Sequence, residues 1–256
     1  MSARAWTSGL IFGTYEELAD EYYDSAKHPT CANFREASTD VIVRWLEREA
    51  NDDAVIAEVG AGLSLVAAYL AGRQARLDNL VLVDSSPKML SHSEAWDEHG
   101  ARRVVATAER LPFEAQTVDL VVASLGDPYN TQAFWLEAHR VLKATGSVLF
   151  TTPSWEWATA YRRRNSDAAE LDRAEFALAD GRRVLVPSWI LPQLSQVLLI
   201  ESAGLRMDEI ADVRLDAITA TPLSPKLRGV PNETILCGYH VTKANMTPSG
   251  SWRTPA

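Results

Sequence analysis

Short, mostly apolar runs alternate along this chain with stretches whose apolar residues recur every three or four positions. The runs are "AVIAEV" (54–59), "NLVLVD" (79–84), "RRVVAT" (102–107), "TVDLVVAS" (117–124) and "GSVLFTTP" (146–153). Short apolar runs bounded by turn residues predict buried strands. Between them the spacing predicts helices: 63–72 with Gly72 as C-cap, Pro87 to about 98 opened by Ser86, and 131–143. In the last of these Phe134, Trp135, Ala138, Val141 and Leu142 share a broad apolar face. Two earlier segments, 15–25 and 33–50, also read as helices, the second with a stripe of Phe34, Ala37, Val41, Ile42, Trp45 and Leu46. Strands separated by helices, without tight hairpins, imply an α/β fold with a parallel sheet covered on both faces.

After residue 153 the rhythm breaks. Residues 154–188 are polar and Arg-rich, with a hairpin turn expected at Asp180-Gly181, and read as an inserted lobe. The rhythm resumes with a helix over 189–203 capped by Gly204, a strand near 207–216 and a last strand over 234–243. Expected boundaries are an N-terminal helical lid (1–50), a core (51–153), the lobe (154–188), the rest of the core (189–243) and a loose tail (244–256).

Composition narrows the function. With 256 residues, 46% of them apolar, the chain can bury one sizeable core. A net charge of −9 argues against nucleic acid as partner. Cys31 and Cys237 are isolated thiols, which suits a reducing compartment. The apolar run Leu10-Ile11-Phe12 is too short for a signal peptide, and no stretch approaches the ~20 residues of a membrane span. The expectation is a soluble, cytoplasmic protein. No metal is expected, and the oligomeric state stays open.

The stretch "AEVGAGLS" (57–64) carries the candidate chemistry. A glycine turn between the first strand of a parallel sheet and its helix brings backbone N–H groups close to a ligand. A dinucleotide turn needs a third glycine, and Leu65 stands in its place, which counts against NAD. Glu58, two residues before Gly60, suits the ammonium of an amino acid. Asp84, closing the second strand, suits the two hydroxyls of a ribose. An amino acid joined to a ribose and an adenine is S-adenosylmethionine. Plainer roles exist: Glu58 as a helix cap, and Gly60 and Gly62 as an ordinary turn.

At these residues the chain resembles the class I S-adenosylmethionine-dependent methyltransferases, and within them the branch typified by ubiquinone- and menaquinone-biosynthesis enzymes. "AEVGAGLS", "LVLVDSSPKML", "ATAERLPFEAQTVDLVVASL" and "EAHRVLKATGSVLFTTP" match in order over roughly 54–153. The resemblance implies a Rossmann-like seven-stranded sheet, six strands parallel and the last antiparallel. It implies that Glu58, Gly60, Ala61 and Gly62 hold the methionine part, Asp84 and Ser85 the ribose, and Thr107, Ala108 and Glu109 the adenine. Ser124 and Leu125 would lie beside the sulfonium. Thr107 stands where the family often has Asp, which leaves adenine recognition to a hydroxyl and backbone groups. The segment "YEELADEYYD" is similar to the family's lid, so that Tyr15, Tyr22 and Tyr23 would shield the cofactor.

The acceptor side is less marked. His28 is the candidate general base, and Arg35 would pair with the cofactor carboxylate or an acidic substrate; Cys31 reads as a small packed hydrophobe. "SLGDPYN" (124–130) is similar to the Asp-Pro-Pro-Tyr signature of amino-group methyltransferases, which makes Asp127 and Tyr129 substrate candidates, against the simpler reading of a loop with a turn. Trp155, Trp157, Tyr161 and Trp189 either line the substrate wall or form the lobe's own core. His139 and His240 read as structural, His92 and His99 as surface residues, and Arg162, Arg163 and Arg164 as a solvated helix face. The reading is a small-molecule methyltransferase, O- or N-directed. The alternatives are an RNA or protein methyltransferase, or a non-catalytic S-adenosylmethionine-binding protein.

Overall fold

The computed structural model describes residues 10–165, 172–228 and 234–244. Its strands are β1 (Leu10–Phe12), β2 (Ile56–Val59), β3 (Leu80–Asp84), β4 (Arg102–Val105) and β5 (Val118–Ala123), then β6 (Leu142–Pro153), β7 (Arg173–Ala177), β8 (Arg183–Pro187), β9 (Leu205–Arg214) and β10 (Thr234–Lys243). Its α-helices are α1 (Pro29–Glu49), α2 (Leu65–Gly72), α3 (Pro87–Ser91), α4 (Gln132–Val141), α5 (Trp155–Asn165) and α6 (Gln193–Ser202). Seven strands form the main sheet in the order β4-β3-β2-β5-β6-β10-β9. All pair in parallel from β4 to β6, and β10 runs antiparallel to both β6 and β9. Six strands therefore point one way and the last points back.

The sequence builds this sheet by burying both of its faces. Every residue of β2 and β3 is buried, and alternate positions feed two cores. Ile56, Leu80, Leu82, Leu120 and Val122 meet the stripe of α1, including Trp45, Ile42 and Leu46. Ala57, Val81, Val83, Val121 and Ala123 meet Phe134, Trp135, Ala138 and Val141 of α4. This period-two division is what parallel strands covered by helices require.

A second, three-stranded sheet has the order β1-β8-β7. β7 and β8 form a hairpin closed at Asp180-Gly181, with the Leu178 N–H donating to the Arg182 carbonyl at 2.8 Å. β1, from the N-terminal segment, adds to β8 in parallel register. The insert and the start of the chain thus share one small lobe, whose core is Leu18, Leu178, Val184 and Val186.

Several element boundaries move. Residues 15–25 form a single 3-10 turn, Tyr15–Glu17, whose start Thr14 and Glu17 close with a capping box, followed by turns. The second helix begins at Pro29, with His28 at its N-cap position. Gly72 is the last residue of α2 and Arg73 its cap; the left-handed residue there is Gln74. The helix expected from Pro87 stops at Ser91 and continues as a 3-10 segment, Glu94–His99. The helix expected from 189 starts at Gln193, after Pro192. Residues 245–256 of the expected tail, and the side chains of Arg162, Arg163 and Arg164, lie outside the described residues.

Candidate functional site

Because β4, β3, β2 and β5 are parallel neighbours, their carboxyl ends open along one edge, where ligands bind in sheets of this kind. A cavity of about 860 Å³ occupies that edge, toward the upper end of the range for small-molecule pockets. Its floor follows the strand order. Ala106–Glu109 come from the end of β4, Asp84–Pro87 from β3, Val59–Ala61 from β2, and Ser124, Leu125, Pro128 and Tyr129 from β5. Tyr15, Glu16, Tyr22 and Tyr23 from the N-terminal segment, and Arg35, Thr39 and Val43 of α1, close it from above.

The glycine turn is held from several sides. Gly60 and Gly62 have φ of +65° and +40°, conformations that only glycine adopts without penalty. A Cβ on Gly60 would stand 2.7 Å from Tyr129 Oη, and one on Gly62 would stand 2.1 Å from Tyr23 Oη. The Gly62 N–H donates to Asp84 Oδ2 at 3.1 Å, so the aspartate fixes the turn before any ligand arrives. Asp84 Oδ1 accepts from the Ser86 N–H at 2.9 Å. Tyr129 Oη donates to the Val59 carbonyl at 2.6 Å. Gly62 itself is not among the lining residues and acts on the cavity through these bonds.

Glu58 does cap a helix. One of its oxygens accepts from the Leu65 and Val66 N–H groups, at 2.9 and 3.4 Å, and the other accepts from the Ser64 hydroxyl. It also lines the cavity, and burial pushes its carboxyl up to about 7. Burial raises the Asp84 carboxyl as well, against three backbone N–H groups that lower it. The two carboxylates that the spacing singled out therefore share one cavity.

The upper wall is aromatic and carries a cation. Tyr23 Oη accepts from the Leu63 N–H at 2.7 Å. Arg35 stacks on the Tyr23 ring, 4.6 Å from its centroid, and its buried Nη1 has no hydrogen-bond partner among the described residues. A buried guanidinium nitrogen without a partner is costly unless an anion completes it. Burial raises the hydroxyls of Tyr15 and Tyr22 well above the ordinary tyrosine value, so both rings meet the cavity as neutral phenols.

Other expected residues lie elsewhere. His28 is not among the cavity-lining residues. Its Nε2 stands 3.7 Å from Glu21, its ring meets the edge of Phe176, and burial lowers its pKa. Asp127 is buried under the lobe, accepting from the Ser188 hydroxyl at 2.6 Å, while its carbonyl takes the Trp189 N–H. Trp157 packs on Phe34, stacks on Tyr161 and donates to the Lys226 carbonyl. Trp155 packs on the main core, and Trp189 is partly exposed. These five residues (Asp127, Trp155, Trp157, Tyr161 and Trp189) lie outside the cavity lining, and Trp155, Trp157 and Tyr161 pack with the main core instead.

The sequence reading missed Glu16, Tyr69 and Trp96, all of which line the cavity. Glu16 accepts from the Ser86 hydroxyl and, at 3.3 Å, from the Lys88 N–H. Tyr69 had a signal: Leu65, Ala68 and Tyr69 recur at i, i+3, i+4 on α2 and all three line the cavity.

Residues 57–150 match the model of a methyltransferase domain. No curated protein matches the chain at the sequence level. Among solved structures, a Pyrococcus horikoshii protein is 14% identical with a TM-score of 0.63, over 91% of this chain and 100% of that one. A Haloferax volcanii protein solved in complex with the methyltransferase activator Trm112 is 14% identical with a TM-score of 0.61, over 90% and 95%. An S-adenosylmethionine-dependent methyltransferase from Methanosarcina mazei is 15% identical with a TM-score of 0.59, over 78% and 96%. At these identities the likeness is one of fold.

Proposed function

We propose that this chain, which carries a match to a methyltransferase domain over residues 57–150, uses S-adenosylmethionine to methylate an oxygen or nitrogen of a small planar or apolar molecule. The observation that carries the reading is the meeting in one cavity of Glu58, Asp84 and Arg35, whose buried Nη1 has no hydrogen-bond partner among the described residues. An α-amino acid needs a carboxylate and a cation for its two charges, and a ribose needs an acceptor for its diol. The three groups supply that set.

In this reading the order of the strand ends is the order of the ligand. Thr107, Ala108 and Glu109 take the adenine, and Asp84 with Ser85 the ribose. The backbone of Gly60 and Ala61 takes the methionine arm, its ammonium on Glu58 and its carboxylate on Arg35. Bound S-adenosylmethionine supplies a methyl group already activated on a sulfonium, so the chain's task is positioning and exclusion of water. Tyr15, Tyr22 and Tyr23 shut the cavity above that centre. Ser124, Leu125, Pro128 and Pro187 border the space beyond β5, where the acceptor approaches in line. His28 faces Glu21, which favours an acceptor atom that arrives with its lone pair free.

Calorimetry with S-adenosylhomocysteine tests the cofactor half, with NADH and ATP as counter-ligands. Asp84→Ala removes the diol acceptor and the partner of the Gly62 N–H together, and should weaken binding roughly 100-fold. Methyl-labelled S-adenosylmethionine, offered with separated small-molecule, RNA and protein fractions of a cell extract, tests the other half. Label entering the small-molecule fraction supports the reading. Label in RNA or protein, or no release of S-adenosylhomocysteine, overturns it.

A further inference from the structure

The end of β5 turns in a way that only a fixed surrounding sustains. Leu125 has a φ of +54°, a left-handed conformation that costs a non-glycine residue about 1–3 kcal/mol. Its N–H donates to Thr151 Oγ1 at 2.9 Å, and the next N–H, that of Gly126, donates to the Thr151 carbonyl at 2.9 Å. A Cβ on Gly126 would stand 2.3 Å from the Phe150 ring, so the turn lies flat on β6. Behind it, fully buried, is Ser38 of α1. Its hydroxyl is 2.6 Å from Ser124 Oγ and 2.7 Å from Thr151 Oγ1.

Of these three hydroxyls only that of Ser124 belongs to a residue lining the cavity. Each carries one proton. Thr151 Oγ1 already accepts from Leu125, which lets it donate to Ser38, and lets Ser38 donate to Ser124. In that direction the Ser124 proton is left for the cavity, at the head of a chain whose members polarise one another. The apolar stripe of α1 docks the helix on the sheet without help from a hydroxyl. A buried Ser38 therefore has a narrower effect: it ties α1 to the one strained turn of the cavity floor.

We propose that Ser38 is a positioning residue. Through Ser124 and Thr151 it fixes the Ser124–Leu125 wall, against which the reacting end of the cofactor and the acceptor meet. The proposal rests on the S-adenosylmethionine reading. Strand order puts the wall beside β2 and its glycine turn, on the side away from Asp84 and Thr107–Glu109. Ligands that carry the amino-acid arm should sense it, and adenosine alone should not.

The test is calorimetry on the full chain with two probes, S-adenosylhomocysteine and adenosine, in Ser38→Ala, Thr151→Val and Thr151→Ser. The first two variants should each weaken S-adenosylhomocysteine about tenfold, the loss of one buried hydrogen bond. Adenosine should stay within about twofold, and Thr151→Ser should behave as wild type because it keeps the hydroxyl. Hydrogen exchange at the Leu125 amide should quicken in Ser38→Ala while the amides of β5 stay protected. Equal weakening of both probes, no weakening of either, or a Thr151→Ser that behaves like Thr151→Val overturns the proposal. A wild-type chain that binds adenosine and not S-adenosylhomocysteine removes the cofactor reading, and this proposal with it.

Discussion

The floor and the roof of the cavity are made from different materials. The floor is backbone: four parallel strand ends, a glycine turn at φ +65° and +40°, and two carboxylates tied to N–H groups at 2.9–3.4 Å. The roof is side chains from an N-terminal segment that is mostly turns, resting on a three-residue strand. Tyr23 and Glu16 reach from it to the floor, one to the Leu63 N–H and the other to Ser86 and Lys88, and His92 holds the Ala19 carbonyl at 2.8 Å. Floor geometry is fixed by the same ladders that hold the sheet, and loosening it means loosening the fold. The roof is tied to the floor by a few hydrogen bonds, each worth about 1 kcal/mol, which predicts that it opens more readily than the core loosens.

The sharpest way to break the contrast is Gly62→Ala. Its Cβ would fall 2.1 Å from Tyr23 Oη, at a backbone angle that disfavours any L side chain. Floor and roof are both displaced by one methyl group, and S-adenosylhomocysteine affinity should fall by roughly 100-fold or more. Gly181→Ala is the matched control. It also has a left-handed φ, +87°, but nothing lies within 4 Å of its Cβ. It should cost about 1–2 kcal/mol of stability and leave binding unchanged. Similar losses of affinity in the two variants would mean that strain alone acts and that the turn has no special place.

Charge on the floor gives a pH signature of intermediate size. Burial lifts the Glu58 carboxyl from its ordinary 4.5 to about 7 in the fold. Between those values the folded chain keeps a proton that the unfolded chain has lost, so this group makes stability fall as pH rises from about 4.5 to about 7, with no further change above. Ligand binding has the opposite sign. An ammonium favours the ionised carboxylate, so S-adenosylhomocysteine should bind more tightly as pH rises, by up to about tenfold per unit below pH 7, then level off. The raised Asp84 adds in the same direction at lower pH. Calorimetry near pH 6.5 in two buffers of different ionisation heat should detect proton release, and Glu58→Gln should abolish most of it. A Glu58→Gln profile identical to wild type would mean that the carboxylate only caps α2.

The same division governs what the sequence discloses. Floor elements are local in the chain. β2, the turn and α2 occupy 56–72 without a break, and their spacing marks Glu58 and Gly60, while the end of the next strand marks Asp84. Roof elements are made by contacts over long separations. β1 pairs with β8 across about 170 residues, and a three-residue run such as Leu10–Phe12 has no period to read. Ring direction is equally silent. Trp157 and Tyr161 stack on each other against the main core while Trp96 lines the cavity, and nothing in composition separates them. Asp127 is a candidate through its likeness to an Asp-Pro-Pro-Tyr signature, and the Ser188 hydroxyl that it accepts from lies 61 positions away, beyond local reading. Glu16 had a readable neighbour in the Thr14–Glu17 capping box, which fixes the turn that carries it, but its reach to Ser86 is a tertiary fact.

The smallest expected effect is the most specific to the roof. Tyr23→Phe keeps the ring on which Arg35 stacks and the contact with Tyr22, and deletes only the oxygen that takes the Leu63 N–H. If the roof is a separable element held by a few bonds, losing one of about 1 kcal/mol should speed both entry and exit of S-adenosylhomocysteine by about fivefold. Because the pin is present before and after binding, the two rates should rise together and the affinity should move by less than about twofold. Trp96, in the cavity lining, provides the fluorescence for a stopped-flow measurement. A change in the exit rate alone would mean that Tyr23 Oη contacts the ligand and belongs to its binding set. Unchanged rates would mean that the roof is as firmly built as the floor, and the distinction between the two would fail at the place where they touch.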